Sequence, residues 1–191
     1  MDESLKAALA AAQVLEDLGV RWFLGGSLAS SVHGVPRATF NADIMADLRP
    51  QHVRSLVQKL GDEWYVDEEA ILEAIRQRAC INLIHFATGM KVDVFLPKLR
   101  RFDGGEFARS RKVRVSESDD AEASVCCAED IVSAKLEWYR MGGEDSERQW
   151  NDVLGVLRLN HGKLDQELLR ASAEELGVSD LLARALEQAA M

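Results

Sequence analysis

Two stretches decide how this chain reads: Val20-Arg21-Trp22-Phe23-Leu24-Gly25-Gly26-Ser27-Leu28-Ala29-Ser30-Ser31-Val32 and, one short loop later, Phe40-Asn41-Ala42-Asp43-Ile44-Met45-Ala46-Asp47-Leu48. The first is a short apolar strand, a glycine turn and a brief helix that Gly34 can cap. Two glycines let a backbone turn sharply and approach a ligand, while Ser27 and the amides after it point donors outward from a helix start, an arrangement that suits phosphate. Such turns are common, so the second stretch carries the decision. It alternates with period two: Phe40, Ala42, Ile44 and Ala46 fall on one face, and Asn41, Asp43, Met45 and Asp47 on the other. A strand that sets side chains 41 and 43 together beside a glycine turn places two oxygen-bearing groups where a phosphate-bound magnesium ion could sit.

Working outward, residues 3 to 18 repeat apolar positions at helical spacing (Leu5, Ala8, Leu9, Ala12, Leu15) and stop at Gly19. Pro50 opens a helix to Leu60, and a second is expected from Glu68 to Arg78. Cys80 to Phe86 and Lys91 to Leu96 read as strands joined at Thr88-Gly89. On the latter strand Asp93 stands between Val92 and Val94, and an acid placed there is either a ligand or half of an ion pair with Lys91 or an arginine, because burying it alone costs several kcal/mol. From Ala128 onward only helical patterns remain: Ala128 to Met141, Ser146 to Leu159, Leu164 to Leu176 and Ser179 to Ala190. The expectation is an α/β (α+β) core with a mixed sheet flanked by helices over residues 1–124, and an all-helical subdomain over 125–191. The acidic stretch Ser116 to Ser124 is the linker candidate.

The chain has 191 residues and a formal net charge of -9, with 47% hydrophobic and 29% charged content. At this size roughly 70% of the unfolded surface can be buried, so no disulfide or structural metal is needed for a core. Cys80, Cys126 and Cys127 form neither an even-numbered disulfide framework nor a zinc-type pair. No apolar run reaches membrane-spanning length, and the opening segment with Asp2, Glu3 and Lys6 is unlike a signal peptide, which predicts a cytoplasmic protein with no membrane partner. The acidic balance argues against a surface devoted to duplex nucleic acid. It hides one basic segment: residues 98 to 115 hold seven basic and two acidic side chains, Lys98, Arg100, Arg101, Arg109, Arg111, Lys112 and Arg114 being interrupted by Asp103-Gly104-Gly105, read as a turn. That segment is either a solvated loop and edge strand or a contact for a polyanion such as RNA. His33, His52, His85 and His161 show no metal-ligand spacing, and no nucleophile turn accompanies them. Trp138 and Trp150 fall among leucines at helical spacing and are read as core anchors.

Combined, these motifs resemble the polymerase β-like nucleotidyltransferases, in particular the small bacterial AbiEii-type branch. The resemblance runs through Phe23-Leu24-Gly25-Gly26-Ser27-Leu28-Ala29, Gly34-Val35-Pro36-Arg37-Ala38-Thr39, Asp43-Ile44-Met45-Ala46-Asp47-Leu48 and Val92-Asp93-Val94. It continues into the helical tail at Glu129 to Arg140 and Glu147 to Leu154, so it covers nearly the whole chain. It implies that Gly25, Gly26 and Ser27 cradle the triphosphate of a nucleoside triphosphate and that Asp43 and Asp93 are Mg2+ ligands. It also implies that Lys135 approaches the nucleotide, and that Arg37 either contacts phosphate or holds its loop. The chemistry implied is nucleotidyl transfer to an acceptor hydroxyl of a tRNA end, a protein or a small molecule, in which metal ions roughly 3.5 to 4 Å apart activate the hydroxyl and stabilise leaving pyrophosphate. A role as a toxin with an antitoxin protein partner is implied in the same way.

The family's first carboxylate, two residues before Asp43, falls here on Asn41. An amide carbonyl can ligate magnesium but adds no negative charge and cannot take the acceptor's proton. The sequence therefore leaves three readings open: an enzyme of weakened catalysis, with Asn41, Asp43 and Asp93 at its centre, a non-catalytic nucleotide-binding module, or an active site deliberately disarmed by substitution. Asp47 lies roughly 13 Å along the strand from Asp43 at about 3.3 Å per residue, too far to share an ion, and is read as a solvated strand-end acid. For Lys135 the competing reading is a surface lysine paired with Glu129 or Glu137, and for Arg148 and Asp152 a surface i, i+4 pair.

Overall fold

The computed structural model describes residues 3–116 and 120–190; Asp2 of the opening segment and residues 117–119 of the acidic stretch lie outside them. The chain divides into two compact units, one comprising the residues up to Leu28 together with Ala38–Val125, the other Ala29–Arg37 together with the residues from Cys126 onward.

Among the described residues, the first unit is built on a seven-stranded mixed sheet. Helix α1 (Glu3–Asp17) buries Leu5, Ala7, Ala8, Ala11, Ala12 and Leu15, and its alanines leave room for close approach to the sheet. It ends at Gly19, whose positive φ of 67° an L side chain would resist. Strand β1 (Trp22–Leu24) leads through Gly25 into helix α2 (Gly26–His33), and strand β2 (Asn41–Ala46) follows. The expected strand at 40–48 is shorter by its ends: Phe40 precedes the ladder and is 89% exposed. Helix α3 (Pro50–Leu60) packs on α1, and a two-residue strand β3 (Trp64–Tyr65) precedes helix α4 (Glu68–Gln77), which Asp67 caps by accepting the Ala70 amide at 2.8 Å. The hairpin β4 (Ile81–His85) and β5 (Lys91–Phe95), helix α5 (Arg101–Arg109) and the hairpin β6 (Arg111–Arg114) and β7 (Glu122–Val125) complete the unit.

Strand order is β3-β4-β5-β2-β1-β7-β6. At its centre β2 runs parallel to β5, while β1 is antiparallel to β2. Ala42, Ile44 and Ala46 of β2 and Val92 and Val94 of β5 are buried, so one face of the centre is the core. The other face carries Asn41, Asp43 and Met45 beside Lys91, Asp93 and Phe95. Beside Met45, its register partner Phe23 on β1 meets Phe107 of α5 edge-on at 5.0 Å. The Asp103-Gly104-Gly105 run is helix and not the expected turn: Asp103 is buried and takes a two-point ion pair from Arg100, and Phe102 and Glu106 are buried with it. Of the linker candidate, residues 122–124 are strand and pair with β6.

The second unit comprises the end of α2, the loop through Arg37, and helices α6 (Ala128–Met141), α7 (Glu147–Leu159), α8 (Gln166–Glu175) and α9 (Ser179–Ala190). Val132, Leu136, Val153, Val156, Leu169, Ala173 and Ala185 fill its interior. Trp150 is a core residue as expected, tilted on Tyr139 at 5.1 Å and donating its indole N–H to Gln188. Trp138 is 46% exposed and is no core anchor. Its place on α6 puts it on the helix's outer side, one residue before buried Tyr139. Among the described residues, no helix is long and apolar enough to cross a membrane.

Candidate active site

The parallel register of β2 and β5 pairs Asn41 with Lys91 and Asp43 with Asp93. Residues paired across a ladder share a face, so the two aspartates stand side by side on the face away from the apolar core. The glycine turn is tied to the same place, because the Gly25 amide donates to the Asp43 carbonyl at 2.9 Å. Gly26, with φ 51°, opens α2 directly against the Asp43 side chain: a Cβ there would stand 1.7 Å from Asp43 Oδ2. The missing side chain of Gly26 is therefore the space that the Asp43 carboxylate fills. A carboxylate at a helix start also meets the positive end of the helix dipole.

Asp93 is held by three donors. Asn41 Nδ2 donates to Oδ2 at 3.0 Å, Lys91 Nζ stands 3.0 Å from the same oxygen, and Asn82 Nδ2 donates to Oδ1. The ion pair with Lys91 foreseen as one of two alternatives is thus present. Asp93's side chain is 8% exposed, and three donors are what such burial of a carboxylate demands. The cluster's field reaches Cys80, whose thiol is pushed up to about 12, by desolvation first and then by the charges of Asp93 and Asp43. Cys80 is therefore a thiol and not a thiolate near neutral pH.

Among the described residues no group of three or more His, Cys, Asp and Glu side chains gathers as a metal centre. The donor set nonetheless suits one ion. Magnesium is usually held through one or two carboxylates completed by substrate phosphates, and Asp43 and Asp93 offer two hard oxygen ligands beside a phosphate-type turn. Asn41 turns its nitrogen, not its oxygen, toward Asp93.

In the second unit, Arg37 and Lys135 converge on one carboxylate. Arg37 donates Nε and Nη2 to the two oxygens of Asp152, each at 2.8 Å, and Lys135 Nζ lies 2.8 Å from Oδ2 and 2.9 Å from Gln149 Oε1. Lys135 is buried at 3% exposure, so it is not the surface lysine paired with Glu129 or Glu137, and Asp152 is not the partner of Arg148. Burial pushes the Asp152 carboxyl up, but the bonds from Arg37 and Lys135 outweigh it and hold it below the usual carboxylate range. The Arg37 loop is anchored locally: a Cβ on Gly34 would stand 2.8 Å from the Ser30 carbonyl oxygen and 3.0 Å from Val156, and Asn160 Nδ2 donates to the His33 carbonyl at 2.7 Å.

The solved structures that resemble this chain in shape include two that define its fold. One is an antigenic nucleotidyltransferase-like protein from Paracoccidioides brasiliensis, 16% identical, with a TM-score of 0.54 over 97% of this chain and 93% of that one. The other is the lincosamide antibiotic adenylyltransferase LnuA in its lincomycin-bound form, 16% identical, with a TM-score of 0.51 over 82% of this chain and 96% of that one. The chain has a nucleotidyltransferase fold. No family model and no curated protein matches it in sequence.

Within this nucleotidyltransferase fold, the structure brings Gly26, Asn41, Asp43 and Asp93 together around one point of the sheet, with Gly25 bonded to the same strand. Ser27 is the second residue of α2 and half-buried. Asp47 stands beyond the end of β2, accepting from Arg21 at 2.9 Å and Arg49 at 3.2 Å. Burial raises its carboxyl, and these two guanidinium groups bring it below the ordinary range. Part of the basic segment is paired too: Lys112 with Glu16, Arg114 with Asp120 and Arg100 with Asp103. Sequence reasoning missed Asn82, Gln149 and Asp152 as parts of these clusters. Asn82 had a signal, since the hairpin turn at Thr88-Gly89 fixes its pairing with Asp93. Asp152 had none, because its partner Arg37 is far away along the chain.

Proposed function

We propose that the chain binds a nucleoside triphosphate at the glycine turn and transfers its nucleotidyl group, slowly, to an acceptor hydroxyl. The observation that carries this reading is the Asp43–Asp93 pair in register across β2 and β5, with the Asp43 carboxylate seated on Gly26 at the start of α2. The open position beside Gly25, where an added Cβ meets nothing within 4 Å, leaves the turn's backbone approachable by phosphate. Ser27 and the first amides of α2 supply donors for the same group. Mg2+ held by Asp43 and Asp93 would neutralise the triphosphate and polarise the reacting phosphorus.

In the reaction, the acceptor oxygen bonds to the α-phosphorus, the bond from that phosphorus to the bridging oxygen breaks, and pyrophosphate leaves with its electron pair. The hydroxyl proton passes to water, since Asn41 offers no carboxylate to take it. Asn41 and Asn82 keep Asp93 oriented, and Gly26 keeps Asp43 against the helix start. Arg37 and Lys135 act through Asp152, as positioning residues for the loop after α2.

The acceptor class is RNA, a protein or a small molecule. The lincomycin-bound state of LnuA supports a small molecule, and the AbiEii-type resemblance supports a macromolecule and an antitoxin partner. A catalytically weakened binder is the second reading, favoured by the Asn41 amide facing Asp93 where the family's pattern has an acid. Labelled-nucleotide transfer to cell RNA, protein and small-molecule fractions, measured for the chain and for Asn41→Asp, separates the two. Transfer that rises by about a hundredfold or more on restoring the acid supports the enzyme. Nucleotide binding with no transfer by either form leaves the binder.

A further inference from the structure

We propose that Lys91 is an exchangeable counter-ion: its ammonium holds Asp93 while the site lacks a divalent cation and must be displaced when one binds. The inference rests on the nucleotide-site reading above, but its test does not require activity. The observations are positional. Lys91 begins β5 two residues before Asp93, so both project from the same face of the strand, and its Nζ lies 3.0 Å from Asp93 Oδ2. That oxygen also accepts from Asn41 Nδ2, and the other accepts from Asn82 Nδ2. Both oxygens that would ligate an ion are therefore engaged by protein donors.

The two partners of this ion pair differ in mobility. Asp93's side chain is 8% exposed and fixed within the sheet, while the Lys91 side chain is 45% exposed on a flexible four-carbon stem. The lysine is the one that can leave. Charge decides the competition: Asp43, Asp93 and Lys91 together carry a net -1, and loss of the lysine charge leaves -2 for an arriving cation. An asparagine at position 41 lowers the negative charge further than the family's pattern would, so the bare site holds divalent cations weakly. A triphosphate supplies both ligands for the cation and an anionic seat for the released ammonium, which links entry of the metal to entry of the nucleotide.

The test is Mn2+ binding to the intact chain without nucleotide, followed by the paramagnetic resonance signal of free ion, for the unaltered protein, Lys91→Met, Lys91→Gln and Lys91→Arg. The expected result is an affinity about tenfold or more higher for the two neutral variants, no gain for arginine, and loss of the gain in Lys91→Met combined with Asp93→Asn. Thermal melts confirm which variants are folded, and the exposed position of Lys91 makes at least one neutral variant usable. Unchanged or weaker Mn2+ binding by a folded neutral variant, or a gain that survives Asp93→Asn, overturns the proposal. If the gain is seen but no nucleoside triphosphate binds any form, the counter-ion role stands and the nucleotide reading falls.

Discussion

At Gly26 the chain spends a residue of low helix propensity to make room for one carboxylate. An alanine there meets Asp43 Oδ2 at 1.7 Å and must also hold a φ of 51°. Gly26→Ala is expected to cost about 1–3 kcal/mol of stability and to displace Asp43, weakening nucleotide binding. A denaturant titration alongside a binding isotherm checks both effects. Gly25→Ala, where the added methyl meets open space, is expected to be milder in stability. The sequence made the two glycines visible but not their division of labour. A residue string shows that two glycines are adjacent, whereas which one faces a carboxylate depends on how β1 and β2 pair. The same limit applies to Asn41. That an amide stands there in place of an acid is legible at once, while the direction of that amide toward Asp93 is a matter of packing with Asn82 and Lys91.

Elements with a strong period were readable, because periodicity records which face is buried. The alternation at 41–46 and the valines flanking Asp93 gave β2 and β5 and put their acids on a shared face. Helix α5 was not readable, since Asp103-Gly104-Gly105 has the composition of a turn. It holds as helix because Asp103 is buried under the Arg100 guanidinium, and Gly105 leaves space into which Arg109 folds, 2.4 Å from where a Cβ would be. The short strands β3 and β7 were missed for a related reason: two to four residues are too few to show a period, and the sheet ladder sustains them. In the helical elements, Asp152 lies between Arg37 and Lys135 with 7% side-chain exposure. Removing the carboxylate strands two cations, so Asp152→Asn is expected to lower stability by about 3–5 kcal/mol, read from chemical denaturation. Lys135→Met is expected to cost less, because the bidentate Arg37 pair survives it.

For the whole molecule, the net charge of -9 describes distribution poorly. In the basic segment at 98–115, Arg100, Lys112 and Arg114 are paired with acids, and the acid pair on the sheet carries its own lysine. Acid stability follows from the paired carboxylates. Asp47 and Asp152 titrate below their unfolded values, so the unfolded chain binds their protons first as pH falls. Their stabilisation is complete above about pH 4 and is lost as pH drops through their lowered folded values. The melting temperature is expected to fall across that window, and Asp152→Asn to show a shallower fall. A pH series of thermal melts for both forms reads this directly. The measurement that bears most directly on the central claim is a calorimetric titration of nucleoside triphosphates into the chain and into Asp43→Asn, with and without magnesium. A nucleotide site built on Asp43 and magnesium requires magnesium-dependent binding to the unaltered chain that weakens at least about tenfold in the variant. Binding that is absent throughout, or indifferent to both magnesium and Asp43, would contradict it.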